Sequence, residues 1–233
     1  MLGTATLWDS VDLGFKPTKR TWGAEVFPGS SLPNAMVQVS PVTKFHSGAG
    51  YQYEDSVIYG FTHTNKGHWN LCHIPLLPVT GTPTPGDYCS PFSHERESAA
   101  PGYYQVFLDR YGVDAQLSST LRCAFHKYTY PAGAAASLLA DLQRSNEHVR
   151  AWDIRKEGDN VFAGWQQTGE KMYFYAVANR PVTGIEPVVE GDREVRIVRF
   201  GEGDGALELR IGFSFVSEKN ARENLEAEML GKS

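Results

Sequence analysis

The stretch YYQVFL at residues 103–108 decides the fold class of this chain. It follows the breaker pair Pro101 and Gly102, and it is rich in aromatic and β-branched residues. Such short runs are typical of β-strands. The next run, residues 113–117, begins directly after the turn residues RYG at 110–112. The two runs therefore predict successive strands.

The same pattern extends in both directions along the 233 residues. Twenty-three glycines and 13 prolines are spread through the chain rather than clustered, and they divide it into short segments. Further predicted strands cover residues 36–39, 122–130, 160–166, 171–178, 194–200 and 207–216. Many short strands at this spacing predict an all-β chain, folded as a two-sheet antiparallel β-sandwich.

Residues 134–143 do not fit the pattern at first sight. They are rich in alanine and leucine, which favour a helix by propensity. However, Leu138, Ala140 and Leu142 alternate as in a strand, and the flanking segments are predicted strands. We therefore predict a strand here too.

A helix is predicted at the end of the chain, over residues 217–230. Ser217 is a suitable N-cap, and Gly231 would end the helix. Ala221, Leu225 and Met229 recur every four residues and so lie on one face. We divide the chain into a β-sandwich domain, residues 1–216, and a linker helix, residues 217–233.

Composition excludes several classes of function. The net charge of −5 provides no basic stripe for nucleic acid and no attraction to anionic membranes. No apolar stretch approaches the roughly 20 residues that span a bilayer, and no signal-peptide pattern is visible. The three cysteines show no C-x-x-C spacing, so we expect buried free thiols rather than disulfides or a zinc site.

A polar segment with one tryptophan is the candidate binding site. We predict that its side chains bind a sugar, because an aromatic ring can stack on a pyranose while amides, imidazoles and an ammonium bind its hydroxyls. Burial would leave so many neighbouring polar groups without partners, so we expect a loop that faces solvent or a cleft. The predicted substrate-binding residues are His63, Asn65, Lys66, His68, Trp69 and Asn70.

An equally weighted alternative is a polar loop whose tryptophan packs on a neighbouring strand. Metal binding has less support, because His63, His68 and His73 are five residues apart with no carboxylate in a ligand-like spacing. Residues 94–97 (HERE) are typical of an exposed charged face or an ion-paired strand entry. No residue of the chain is predicted to be catalytic or to bind a metal.

Several ordered motifs resemble one known family, the family 92 glycoside hydrolases, in its N-terminal half. The matching stretches cover most of residues 23–228. They are FPGS at 27–30, PNAMVQVSP at 33–41, GYQY at 50–53, IYGFTHT at 58–64, PGYY at 101–104, HKYTYP at 126–131 and SFVS at 214–217.

The resemblance implies an N-terminal β-sandwich like the galactose-mutarotase supersandwich, followed by a helical (α/α)₆ domain with the catalytic acid and base. It implies calcium-dependent hydrolysis of α-mannosides with inversion, with calcium belonging to the complete enzyme and none bound by this domain alone. The implied partners are a mannose-containing glycan and that C-terminal catalytic domain. The resemblance also implies bacterial export, to the periplasm or beyond, although the chain shows no export signal. This chain alone is expected to be inactive.

The chain departs from the family pattern within the candidate site. Asn65 stands where the family has a second histidine, and residues 66–73 replace a loop of small residues. Two other functions stay open: a stand-alone carbohydrate-binding module and a purely structural sandwich. The two-domain enzyme predicts a bare apolar surface that includes Leu225 and Met229, whereas a stand-alone module predicts a polar surface.

Overall fold

The computed structural model describes residues 28–66, 69–203 and 205–230, which form two antiparallel sheets and one C-terminal helix. The first sheet has seven strands, in the spatial order β1 (Ser30–Ser31), β2 (Gln38–Val42), β4 (Gly60–Thr62), β7 (Leu76–Val79), β13 (Ser137–Ala140), β18 (Arg193–Phe200) and β17 (Val182–Glu190). The second has eight, in the order β14 (Ala151–Gly158), β15 (Val161–Gln167), β16 (Lys171–Ala178), β19 (Leu207–Ser214), β12 (Cys123–Thr129), β11 (Val113–Ser119), β10 (Tyr103–Leu108) and β9 (Glu97–Ala100).

Two small pairs complete the strands. They are β3 (Val57–Ile58) with β8 (Ser90–Pro91), and β5 (Asn65–Lys66) with β6 (Trp69–Asn70). A short 3₁₀ helix covers His94–Arg96, an α-helix α1 covers Glu218–Leu225, and a π-helical turn follows at Glu226–Leu230. No helix of the described part is long and apolar enough to cross a membrane.

The core lies between the two sheets, because alternate side chains of each strand point inward. In β10 and β16, every second residue is buried, as the period of a strand requires. Each large apolar side chain buried in this way stabilises the fold by about 1.5–3 kcal/mol. The largest fully buried rings are those of Tyr104, Tyr128, Phe61, Phe162, Phe174 and Phe213.

The predicted all-β sandwich is confirmed. The run at 103–108 is a strand over the predicted residues, and the Ala- and Leu-rich segment contains strand β13. Strands β14 and β17 were not predicted, because both are edge strands whose side chains are largely exposed and show little apolar alternation. The expected burial of free thiols holds for Cys72 and Cys123, whereas Cys89 is partly exposed.

Of the two predictions for residues 94–97, the exposed charged face is wrong for Glu97, which begins β9 and is paired with His94. Its carboxylate has no exposed surface. Hydroxyls of Tyr104 and Tyr51 donate to it at 2.6 and 3.1 Å, and the His94 ring contacts it at 2.5 Å through Nδ1. This hydrogen bond raises the pKa of His94. Three partners on three segments thus make this charged residue part of the interior, which the local sequence pattern could not indicate.

Helix α1 packs on the outer face of the second sheet. Ser217 caps it by accepting from the Asn220 N–H at 3.1 Å, as predicted. Ala221 and Leu225 are fully buried against Gly212 of β19. The expectation that Leu225 lies bare is therefore wrong: its side chain is covered by this sandwich itself. Met229 is half-buried.

Gly212 is required for this packing. A Cβ placed there would lie 2.1 Å from the Ala221 carbonyl oxygen and 2.8 Å from the Leu225 Cβ. We expect Gly212→Ala to lower the free energy of unfolding by about 2 kcal/mol or more, because the backbone of α1 must shift. Urea denaturation followed by circular dichroism measures this.

Gly184→Ala is the matched control, because a Cβ at Gly184 meets nothing within 4 Å. This control should change the unfolding free energy by less than about 0.5 kcal/mol. Equal stabilities of the two variants would contradict the packing described for α1.

Candidate functional site

The candidate site lies at one end of the sandwich, which we call the hairpin end. The β5–β6 hairpin connects β4 to β7 there. Because Ala140 pairs with Leu76, the loop of residues 141–150 that follows β13 emerges at the same end. The start of β12 and the end of β19 also meet there, since Cys123 pairs with Gly212 and Phe213 contacts His63.

The hairpin presents two side chains to solvent. Lys66 and Trp69 lie directly opposite each other across the strand pair, and both are exposed. Half of the Trp69 side chain, 51%, is accessible. Asn65 lies opposite Asn70 and is half-buried. The tip therefore offers an indole surface beside an ammonium group.

Asn70 fixes the base of the hairpin from inside the protein. It has no exposed surface. Its Oδ1 accepts from the Cys72 backbone N–H at 2.8 Å, and its Nδ2 donates to Thr62 Oγ1 at 3.1 Å. The side chain packs so closely on Gly50 that a Cβ there would lie 2.8 Å from Nδ2. Gly50 also has φ +73°, a conformation that glycine adopts without strain.

His63 lies beneath the hairpin in a stack of aromatic rings. Its ring is 5.1 Å from that of His126 and 4.7 Å from that of Phe213, measured between centroids. The two histidine Nε2 atoms are 3.2 Å apart, a distance at which one neutral ring donates to the other. Burial lowers the pKa of His63 to about 3, and it lowers the pKa of His126 as well.

His73 connects the far side of the hairpin to the second sheet. Its Nδ1 lies 2.9 Å from Thr64 Oγ1, and its Nε2 lies 2.9 Å from Glu147 Oε2 and 3.1 Å from Thr168 Oγ1. Burial lowers the pKa of His73. Burial also opposes ionisation of Glu147, but hydrogen bonds from Thr168 and His73 outweigh it and lower the pKa of Glu147.

A neutral imidazole with its proton on Nε2 satisfies this whole arrangement. The Nε2–H donates to the ionised Glu147 carboxylate, and Nδ1 accepts from the Thr64 hydroxyl. Thr168 also donates to Glu147 Oε2, at 2.7 Å. The network joins the hairpin, the loop of residues 141–150 and the end of β15 into one hydrogen-bonded unit.

The loop of residues 141–150 holds the second strand of the hairpin. Asn146 Nδ2 donates to the Asn70 carbonyl at 2.7 Å, and the Asn146 N–H donates to the Leu71 carbonyl at 3.0 Å. Ser145 Oγ donates to the same Leu71 carbonyl at 2.7 Å. Each of these bonds satisfies a backbone group that strand pairing leaves free.

Backbone strain is concentrated around the hairpin. Three of the four described non-glycine residues with positive φ are here: His46 (61°), Cys72 (54°) and Ile74 (52°). A β-branched residue such as Ile74 is unfavourable in this region. Gln166 compensates by accepting from the Ile74 N–H at 2.8 Å. Strained residues persist where the surroundings fix them, and they cluster at functional sites.

The structure divides the six predicted sugar-binding residues. Lys66 and Trp69 lie on the hairpin with accessible side chains, whereas Asn65 is half-buried and its amide nitrogen and oxygen have no accessible surface. His63 and Asn70 are fully buried, so the expectation that these polar residues face solvent or a cleft is wrong for both, and they support the hairpin instead. His68 lies outside the described residues.

The residues that brace the hairpin were not predicted. They come from distant parts of the chain and are Gly50, Asn146, Glu147, Gln166 and Thr168. The sequence could have pointed to Gln166, because it occupies an inward-facing position in β15, where a buried amide must have partners. The loop residues show no such signal, because polar residues are common in any loop.

No three His, Cys, Asp or Glu side chains within residues 28–66, 69–203 and 205–230 lie close enough together to hold a metal.

The fold resembles solved structures of larger enzymes. An α-mannosidase of family GH92 from Bacteroides thetaiotaomicron, BT3965, superposes with a TM-score of 0.78 at 25% identity, over 87% of this chain and 33% of that one. The GH92 family glycosyl hydrolase ccman5 gives 0.75 at 26% identity, over 89% and 32%. The inverting GH92 mannosidase BT2199, from Bacteroides thetaiotaomicron VPI-5482, shares the fold with a TM-score of 0.76 at 22% identity, over 90% and 31%.

This chain thus has the two-sheet sandwich that occurs as one domain of larger glycoside hydrolases, and it spans about a third of their length. The family profile described as "Glycosyl hydrolase family 92 N-terminal domain" matches residues 15–222. The chain belongs to this family, as its motifs predicted. Among curated protein sequences, none matches it.

A substitution of Asn70 tests whether buried hydrogen bonds hold the hairpin in place. We expect Asn70→Ala to lower the free energy of unfolding by about 1–3 kcal/mol, because the buried Cys72 N–H loses its partner and the Thr62 hydroxyl keeps only a long bond to the Ser40 carbonyl. Lys66→Ala, on the same hairpin but exposed, should change it by less than about 0.5 kcal/mol. Chemical denaturation of both variants gives the comparison, and a loss that is no larger for Asn70→Ala would be inconsistent with a buried brace.

The buried histidines predict a dependence of stability on pH. The folded pKa of His63, about 3, lies below the unfolded value of about 6.5. Its contribution is complete above the unfolded value and is lost as pH falls towards 3, because the unfolded chain then binds the extra proton. We expect His63→Gln to reduce the slope of unfolding free energy against pH by about 1.4 kcal/mol per unit between pH 4 and 6.

Urea denaturation at several pH values measures this slope. His148→Gln, a substitution at an exposed histidine in the neighbouring loop, is the control and should keep the slope of the parent chain. A slope in His63→Gln equal to that of the control would show that His63 is not held neutral by burial.

Proposed function

We propose that this chain forms one wall of the substrate cleft of a calcium-dependent exo-α-mannosidase that acts with inversion, and that a helical catalytic domain forms the other wall. The observation that carries the proposal is the exposed indole of Trp69 on a hairpin fixed from below by buried hydrogen bonds. Such a rigid aromatic surface suits the apolar face of a sugar ring.

The chemistry of the tip supports a sugar ligand. The Trp69 ring can stack on the C–H face of a mannose residue. The Lys66 ammonium, across the strand pair, can donate hydrogen bonds to hydroxyls at the ring edge. Because the hairpin is held in place before a sugar arrives, little conformational entropy is lost on binding.

The apolar surface supports a further domain at the same end. Within the described part of the chain, every large apolar side chain with substantial exposure lies at the hairpin end. Strand pairing or a contact with a residue of that end locates each of them there. These side chains are Trp69, Leu121, Val189, Phe215, Val216 and Leu230. Exposed apolar groups gathered at one end of a domain mark an interaction surface. The relatives BT3965 and ccman5 extend well beyond the part that this chain covers.

The roles of the domains follow from the residues that each provides. This chain orients the sugar through the hairpin and keeps water from the covered face of the ring. The acid and base groups that glycoside hydrolysis needs come from the helical domain. The neutral His63–His126 pair and the His73–Glu147 network hold the hairpin in a fixed position relative to the sheets.

Substitution of Trp69 tests the proposal. In a polypeptide that joins this chain to a family 92 helical domain, we expect calcium-dependent release of β-mannose from an α-mannobiose, followed by proton NMR. Trp69→Ala should reduce kcat/KM by about tenfold or more, because the stacking surface is lost. This chain without the helical domain should show no turnover.

Trp165→Ala is the matched control, since it removes an indole from β15 rather than from the hairpin. It should leave kcat/KM within about twofold of the parent value. Hydrolysis by this chain alone, or a Trp69→Ala enzyme as active as the control, would rule out the proposed division of roles.

A further inference from the structure

A cleft opens beside the candidate site, where the edge strands of the two sheets approach each other. It has a volume of about 490 Å³ and lies between the start of β14, the loop before it and the turn that joins β17 to β18. The residues that line it are Gln143, Val149, Arg150, Ala151, Trp152 and Arg193. None of them belongs to the hairpin or to its brace.

The charges around this cleft are unequal. Arg193 binds the buried Asp141 carboxylate at 2.6 Å, and Arg196, which lies behind Trp152, pairs with Glu194 at 2.6 Å. Arg150 is exposed and has no ion pair with any described residue. Arg193 and Arg196 are thus each paired with a carboxylate, whereas the Arg150 guanidinium lines the opening without one.

Hydrogen-bond donors in the cleft are also incompletely used. Arg193 directs Nη2 to Asp141, and its second terminal nitrogen, Nη1, has no hydrogen bond to any described atom. Gln143 accepts from the Glu194 N–H at 2.8 Å through Oε1, which leaves its NH₂ group to donate. Two guanidinium groups and an amide are the donor set that binds a carboxylate or phosphate oxygen well.

Trp152 gives the same cleft an aromatic wall. Its side chain is half-buried and packs against the core, so the indole is held in one place. The Arg196 guanidinium lies 5.2 Å from the ring centroid and supports it further. A fixed indole next to guanidinium and amide donors suits a ring with an apolar face and a polar edge.

We propose that this cleft binds a saccharide that carries an anionic substituent, either a carboxylate or a phosphate. The sugar ring stacks on Trp152. Its anionic group binds Arg150 and Arg193, and a hydroxyl accepts from the Gln143 amide. Nucleic acid is not the ligand, because a single uncompensated cation on a chain of net charge −5 cannot follow a phosphate backbone. The proposal does not rest on the function of the hairpin.

Isothermal titration calorimetry on this chain tests the cleft with four probes: glucuronic acid, glucose 6-phosphate, glucose and inorganic phosphate. We expect the two charged sugars to bind at least about tenfold more tightly than glucose, because a guanidinium–oxyanion bond adds to stacking. Whichever of the two binds more tightly identifies a carboxylate or a phosphate as the substituent.

Three variants assign the binding to the cleft. Arg150→Gln should reduce the preference for charged over uncharged sugar to about twofold or less, and Trp152→Ala should weaken both by about fivefold or more. Lys156→Gln removes the same charge from an exposed position of the same strand, outside the cleft, and should match the parent chain.

Equal affinity for glucose and glucuronic acid, or no saturable binding of either charged sugar, would overturn the proposal. Inorganic phosphate that binds as tightly as glucose 6-phosphate would overturn it too, because the site would then recognise an anion without a sugar. Circular dichroism of each variant confirms that the sandwich is folded, and the Trp69→Ala variant should bind all four probes like the parent chain.

Discussion

Polar side chains without access to solvent support the β5–β6 hairpin, and each of them needs a hydrogen-bond partner inside the protein. Asn70 and His73 meet this requirement through Thr62 and Glu147, and His63 meets it at Nε2 through His126, whereas its Nδ1 has no partner among the described atoms. Moving the hairpin would break a buried hydrogen bond at one of these positions, and each such loss costs about 1–3 kcal/mol. The hairpin is therefore held in one position. The exposed indole of Trp69 is therefore held in a fixed position as well.

The same constraint explains why the loop of residues 141–150 serves both sites. Its middle, at Asn146 and Glu147, holds the hairpin, whereas Gln143 and Arg150 line the cleft at the sheet edges. Strand pairing places this loop at the hairpin end because Ala140 is opposite Leu76. The two sheets thus place the candidate sugar-binding hairpin and the proposed anionic-saccharide cleft at the same end of the sandwich, with the exposed apolar groups around them.

The strands could be predicted from sequence where apolar residues alternate, as in residues 103–108, and the helix could be predicted from Ser217 and the spacing of Ala221 and Leu225. Edge strands β14 and β17 could not, because an exposed strand has no apolar periodicity. In the site, the sequence identified a polar, tryptophan-bearing segment, but it could not show that His63 and Asn70 point inward. The His63 ring faces His126, which is 63 residues away, and the Asn70 side chain is held by Thr62 and Cys72 through a chain reversal that local patterning does not show.

The central claim is that the Trp69 hairpin contacts the sugar in a cleft shared with a helical domain. A crystal structure of the two-domain polypeptide with a bound, uncleaved α-mannoside analogue tests it most directly. The account predicts a mannose ring within about 4–4.5 Å of the Trp69 indole, the distance of side-chain contact. A sugar bound in the interdomain cleft with Trp69 left in solvent, or packed only against protein, would contradict it.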